Sequence, residues 1–159
     1  MNAVPAGRAN PVTESIDHAN ARATALRPKV GGFPYLAEAL RQAGVTKYYF
    51  DVPSMTVIYI TDEGDLLQPG TFLRTAKTVI PAYDEDALIE AIRADQRGES
   101  TFPDFVEASF RAGVIRFEVD TAARTCTYFG AHAETYLEEY PAVQLAPDTG
   151  CARLSPAGQ

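Results

Sequence analysis

The side chains able to do chemistry are few and loosely spaced. His132 is followed two residues later by Glu134. A neutral imidazole beside a carboxylate can take up and return a proton near neutral pH, so this pair is the candidate general acid or base. The plainer reading is an exposed loop histidine just past a strand end. His18 lies in an alanine-rich helix and reads as surface decoration. The residues suited to binding lie on either side of the pair: Arg116 and Arg124, which with Glu118 and Thr127 can line the wet face of a hairpin, and Tyr128 and Tyr136 among a concentration of rings. A cross-strand ion-pair ladder is the ordinary account of the first group, and a core that of the second.

Other candidates resolve toward structure. Asp51 and Asp120 occupy equivalent places in a repeat; two carboxylates meeting across an axis can share a proton or hold a cation, but an aspartate opening a turn accepts the amides just after it. Glu38 and Glu107 also recur and read as solvated or paired helix residues. Cys126 sits mid-strand with no histidine near it in sequence, which favours buried packing over a nucleophile, and with Cys151 it lacks metal-ligand spacing. The chain has no P-loop, dinucleotide fingerprint, GxSxG or HExxH motif, and no cofactor or metal is expected.

The elements that must position these residues come in two copies. Phe33–Tyr59 recurs without a gap, 69 residues on, as Phe102–Tyr128, with ten of 27 positions identical, among them the Phe-Pro pair, Ala-Gly-Val and the aspartate. Phe-Pro opens a helix, because proline in the first turn gives up an amide that had no partner. In the second copy Thr101 and Asp104 have capping-box spacing. Leu36, Ala39, Leu40 and Ala43, matched by Phe105, Ala108 and Ala112, form an apolar stripe, and Gly44 or Gly113 ends the helix. Alternation then predicts strands over 114–120 and 124–130, and over 45–51 and 56–60, joined by the aspartate turns.

Along the rest of the chain, residues 1–12 read as a loose leader and Thr13 or Ser15 as the cap of a helix reaching Arg27. After the first hairpin, residues 62–65 and 68–70 read as turns and 71–80 as one or two further strands that the second copy lacks. Asp84-Glu85-Asp86 opens a helix ending near Gly98. Residues 133–140 read as a short helix closed by Pro141, 142–145 as a final edge strand able to support a homodimer, and 147–159 as a tail.

With 159 residues and 46% hydrophobic content the chain can bury one core but hardly two. A net charge of −7, with no clustering of the 14 Lys and Arg, argues against a nucleic-acid partner. No signal peptide or membrane span is expected, and the two cysteines suit a reducing cytoplasm.

The run Thr101-Phe102-Pro103-Asp104-Phe105, then Ala112-Gly113-Val114, Asp120, Arg124-Thr125-Cys126-Thr127-Tyr128-Phe129-Gly130, Glu134-x-Tyr136 and Glu139-Tyr140-Pro141, resembles a family of small bacterial and prophage-encoded proteins. These carry a domain of unknown function and are often labelled phage envelope protein. The resemblance is specific from about residue 84 to 145 and looser over the first copy. It implies an α+β fold, no established activity and no catalytic residues to carry over.

The fold expected is therefore α+β: a tandem duplication of a helix-helix-β-hairpin unit about a pseudo-twofold, with an antiparallel sheet and helices on one face. It occupies 13–146, split near residue 82. The expected role is a non-catalytic binding or interaction domain for a protein or small molecule; the alternative is a small enzyme or ligand binder using a groove between the repeats around His132.

Overall fold

The structure, a computed structural model, describes residues 10–73 and 77–146. Each helix starts where the sequence offers a reason to start. Asn10 caps α1 (Pro11–Leu26), its Oδ1 accepting the Val12 amide at 3.0 Å, and Pro11 fills the first helical position. The helix thus begins ahead of the expected Thr13, and Pro11 and Val12 leave the leader. Helix α2 (Phe33–Gln42) opens on Phe-Pro. Asp84 caps α3 (Glu85–Gln96), its Oδ1 accepting the Ala87 amide at 3.0 Å. At α4 (Phe102–Arg111) the capping box is formed: Thr101 Oγ1 accepts the Asp104 amide at 3.3 Å, and Asp104 Oδ2 accepts the Thr101 amide at 3.1 Å.

Gly113 ends α4 at φ 84°, and a Cβ there would lie 2.7 Å from the Ala82 carbonyl oxygen and the Tyr83 Cα. Only glycine meets both demands. The chain then extends, because residues 114–120 are rich in β-branched side chains and alternate in polarity. Strands β1 (Val45–Asp51), β2 (Thr56–Thr61), β3 (Leu66–Gln68), β4 (Val114–Asp120), β5 (Thr125–Gly130) and β6 (Thr135–Glu139) form one antiparallel sheet in the order β3-β2-β1-β4-β5-β6.

Pleating gives the sheet two different faces. Tyr48, Phe50, Tyr59, Phe117, Val119, Cys126 and Tyr128 point inward and share one core with Ile16, Leu40, Leu88 and Val106 of the four helices. The last four are at most 1% exposed, and each such burial stabilises by roughly 1.5–3 kcal/mol. The other face carries a row that crosses all six strands: Leu67, Ile58, Tyr49, Glu118, Thr127 and Leu137. Leu67 and Leu137 are more than half exposed there.

Three expectations need correction. Residues 133–140 are not a helix but a turn and β6, because β5 would otherwise end the sheet with its hydrogen-bonding groups unpaired. That demand outweighs the helix propensity of the Ala, Leu and Glu in the segment. Residues 142–145 form no strand, so the sheet edges among the described residues are β3 and β6. The described residues of 71–80 are irregular; the strand that follows the first hairpin is β3, just upstream. Residues 74–76, the tail from 147 and the leader through 9 lie outside the described residues. Among the described residues, no helix is long and apolar enough to cross a membrane.

Leu88→Ala should cost about 2–5 kcal/mol, since the site is sealed on all sides, and Thr101→Ala about 1 kcal/mol through the lost cap. Urea titration checks both: the midpoints should fall in that order with an unchanged slope.

Candidate functional site

His132 lies in the turn between β5 and β6, on the surface. Its backbone amide donates to Glu134 Oε2 at 2.8 Å, and the Glu134 carbonyl accepts the Gly130 amide at 2.9 Å. The carboxylate is folded back onto its own turn, where Ala133 takes φ 68°. Backbone hydrogen bonds from Glu134 itself and from His132 hold its carboxyl below the usual range, and the His132 side chain adds a smaller electrostatic push. A carboxylate stabilised in its charged form and committed to a turn is a poor proton acceptor.

Of the four residues suited to binding, Tyr128 and Tyr136 are cross-strand neighbours, while Arg116 and Arg124 lie apart from them and from each other. Tyr128 is 7% exposed and packed against Phe105, Phe117 and Tyr136. Tyr136 donates to Glu138 Oε1 at 2.6 Å, and Arg93 of α3 reaches the same carboxylate at 2.8 Å. Arg116 is on the outer sheet face, 4.4 Å from the centroid of the Phe129 ring and 3.4 Å from Glu118. Its place with Glu118 and Thr127 is the expected wet face. Arg124, however, sits in the β4–β5 turn at φ 56°. It and His132 mark opposite ends of β5, roughly 20 Å apart at about 3.4 Å per residue. They cannot act on one small molecule.

The remaining acids and thiol have structural duties. Asp51 accepts the amide of Ser54 at 3.0 Å and its hydroxyl. Asp120 accepts the amides of Ala122 at 3.0 Å and Ala123 at 2.9 Å. The two lie at opposite ends of the β1–β4 pairing, where Asp51 faces Arg116 and Asp120 faces Lys47, so they do not meet. Glu38 is held bidentate by Arg41 at 2.7 and 2.8 Å. Burial pushes the Cys126 thiol up to about 12, which leaves it protonated and unreactive at neutral pH. Cys151 lies outside the described residues, and among those described no cluster of three His, Cys, Asp or Glu could hold a metal ion.

What the fold does bring together is a groove of about 610 Å³ between the α2–β1 corner and the β4–β5 turn. Glu38 and Arg41, Thr46, Arg124, Tyr140 and Pro141 line it. Tyr140 is fixed by its amide, which donates to the Arg124 carbonyl at 3.0 Å, and by the Phe33 ring at 5.2 Å. Burial, aided by Cys126 and Asp120, pushes its phenol up to about 12, while Arg124 pulls the other way. Among the described residues no acid lies within ion-pair distance of Arg124. Of the four binding candidates, only Arg124 lines this groove. Sequence reasoning missed Arg41 and Thr46, because they lie about eighty residues from Arg124 and no local spacing links them.

Glu134→Gln should lower the thermal midpoint at pH 7. A carboxyl depressed in the folded state contributes stability above its unfolded value, near 4.3, and loses it as pH falls through the folded one. The gap between wild type and variant should therefore narrow on acidification below about pH 4; a gap independent of pH would mean the carboxylate charge is not what the turn uses.

Residues 23–140 match the family described as Protein of unknown function (DUF1398), a span that takes in the C-terminal turn of α1 and everything through Tyr140. The chain is also 49% identical over 118 residues to the uncharacterized proteins Mb2035 of Mycobacterium bovis and Rv2012 of Mycobacterium tuberculosis, covering 74% of this chain and 72% of each relative. The family match reaches across both halves of the sheet, including the first, where the resemblance carried by the sequence motifs is looser. By the extent of both matches, the chain belongs to the DUF1398 family of proteins of unknown function.

Proposed function

We propose that the protein is a non-catalytic binding domain built from two copies of one unit, and that the groove beside Arg124 takes a small carboxylate-bearing molecule. Several pieces of geometry that sequence identity does not require support the duplication. Under the 69-residue offset the β1–β4 pairing maps onto itself: Lys47↔Asp120 becomes Arg116↔Asp51. The Val52 amide donates to the Ile115 carbonyl at 3.0 Å, and its counterpart, the Thr121 amide, to the Thr46 carbonyl at 3.1 Å. Met55 and Arg124, unlike in chemistry, both take left-handed φ, at 53° and 56°. Register shifts fall at Val45/Lys47 and at Val114/Arg116. Each half thus has the order helix, helix and three strands, one strand more than the hairpin read from sequence.

The observation that carries the ligand reading is the state of the two cations on the groove. Arg41 is already neutralised by Glu38, whereas Arg124, although Asp62 also lines the groove, has no acid within ion-pair distance among the described residues and is held at a strained backbone angle. A carboxylate would supply the missing partner, and the Tyr140 ring offers a surface for an apolar body. Against catalysis stand the duties already occupied by Glu134, Asp51, Asp120 and Cys126. An enzyme built on His132 would need a second group within reach, and the groove lies at the far end of β5 from it. A reducing, cytoplasmic setting is part of this reading, with the free thiol of Cys126 in its favour.

Phenylacetate and its uncharged amide are suitable probes in a thermal-shift assay. A ligand at a hundred times its dissociation constant adds about 2.7 kcal/mol of stability. The acid should raise the midpoint, the amide should do so much less, and Arg124→Gln should remove the difference. If a broad panel of organic acids leaves the midpoint unmoved, or the variant responds like wild type, the groove is not such a site.

A further inference from the structure

Among the described residues no strand lies beyond β6, and that edge has a feature that its composition alone does not reveal. Gly130 N–H donates to the Glu134 carbonyl, and Tyr140 N–H to the Arg124 carbonyl. Even-numbered residues of this segment therefore turn their backbone groups toward β5, and the N–H and C=O of Thr135, Leu137 and Glu139 point away from the sheet. After Tyr140 the chain leaves this edge: the Leu145 carbonyl accepts from Gln42 of α2. Leu137 is 54% exposed beside these groups.

We propose that β6 pairs with β6 of a second copy of this chain, antiparallel about a twofold axis at Leu137, to give a continuous twelve-stranded sheet. The side chains select both the partner and the register. With the axis at Leu137, Leu137 faces Leu137 of the second copy, Thr135 faces Glu139 and Tyr136 faces Glu138, so every acid meets a hydroxyl donor. Moving the axis to Tyr136 sets Glu138 against Glu134, and moving it to Glu138 sets Glu138 against itself; like charges directly opposite are destabilising. Acids on an edge strand usually discourage pairing. Here they disfavour these slipped registers and accept one. Glu138 also brings its own cation, Arg93, at 2.8 Å, so it adds little net charge at the junction.

The pairing has consequences on both faces. On the inner face the two Tyr136–Glu138–Arg93 sets come side by side. On the outer face the row from Leu67 to Leu137 runs on through the contact into the second copy. The proposal does not depend on the groove beside Arg124 taking a ligand.

Sedimentation velocity of the full chain tests it. At about 100 µM, a hundredfold above a micromolar dissociation constant, the expected species has twice the monomer mass of 17.2 kDa. Thr135→Glu places a carboxylate against Glu139 of the second copy at two symmetric positions and should weaken the dimer about tenfold. Adding Glu139→Lys to that variant should restore it, since residues 135 and 139 meet only between copies. Leu137→Lys, which sets two ammonium groups face to face on the axis, should give monomer, with circular dichroism confirming that each variant is folded. A wild-type monomer at this concentration overturns the proposal, as does a dimer indifferent to Thr135→Glu or one that Glu139→Lys fails to rescue.

Discussion

The pairing of β1 with β4 is the interaction on which the rest depends. These two strands come from different halves of the chain and join β3-β2-β1 to β4-β5-β6, so the sheet exists as one object only because they meet. Phe50 and Phe117 face each other in that register with ring centroids 4.7 Å apart, nearly parallel, beneath Phe102 and Phe105 of α4. Slipping the register by one residue would turn the whole inward set outward. Opposite charges at both ends of the ladder, Lys47 facing Asp120 and Asp51 facing Arg116, reinforce the register at little cost in desolvation because they lie on the wet face.

A strand pair buried at the centre of a sheet leaves its difficulties at the margins. The turns that reverse β1 and β4 need an aspartate to satisfy their amides and a residue in the left-handed region. The edges, β3 and β6, carry backbone groups with no strand beyond them among the described residues. The features that invite a functional reading lie at these margins: the groove abuts the β4–β5 turn, and the proposed contact between copies lies along β6. The inner face is occupied by packing, and its tyrosines and thiol are spent on it.

The groove and the edge are linked through one short segment. Tyr140 ends the β5–β6 ladder by donating to Arg124, and its ring and Pro141 then wall the groove. Ordering β6 in a larger sheet would steady that wall, whereas the turn holding His132 lies at the other end of the strand.

Much was determined by the sequence itself. The Phe-Pro openings, the capping box at Thr101 and Asp104, the glycines that stop α2 and α4 and the alternation of β1, β4 and β5 are local matters, fixed by steric limits and hydrogen-bond supply within a few residues, and all are found where the residues place them. The aspartates Asp51 and Asp120 announced their turns for the same reason. Tertiary structure alone decided β6, because residues 134–139 hold good helix formers, and only the open edge of β5 makes the extended form better. It also decided which of Arg116, Arg124, Tyr128 and Tyr136 share a surface: a side chain's face depends on register, and Arg41 meets Arg124 at the groove only because β1 and β4 are neighbours.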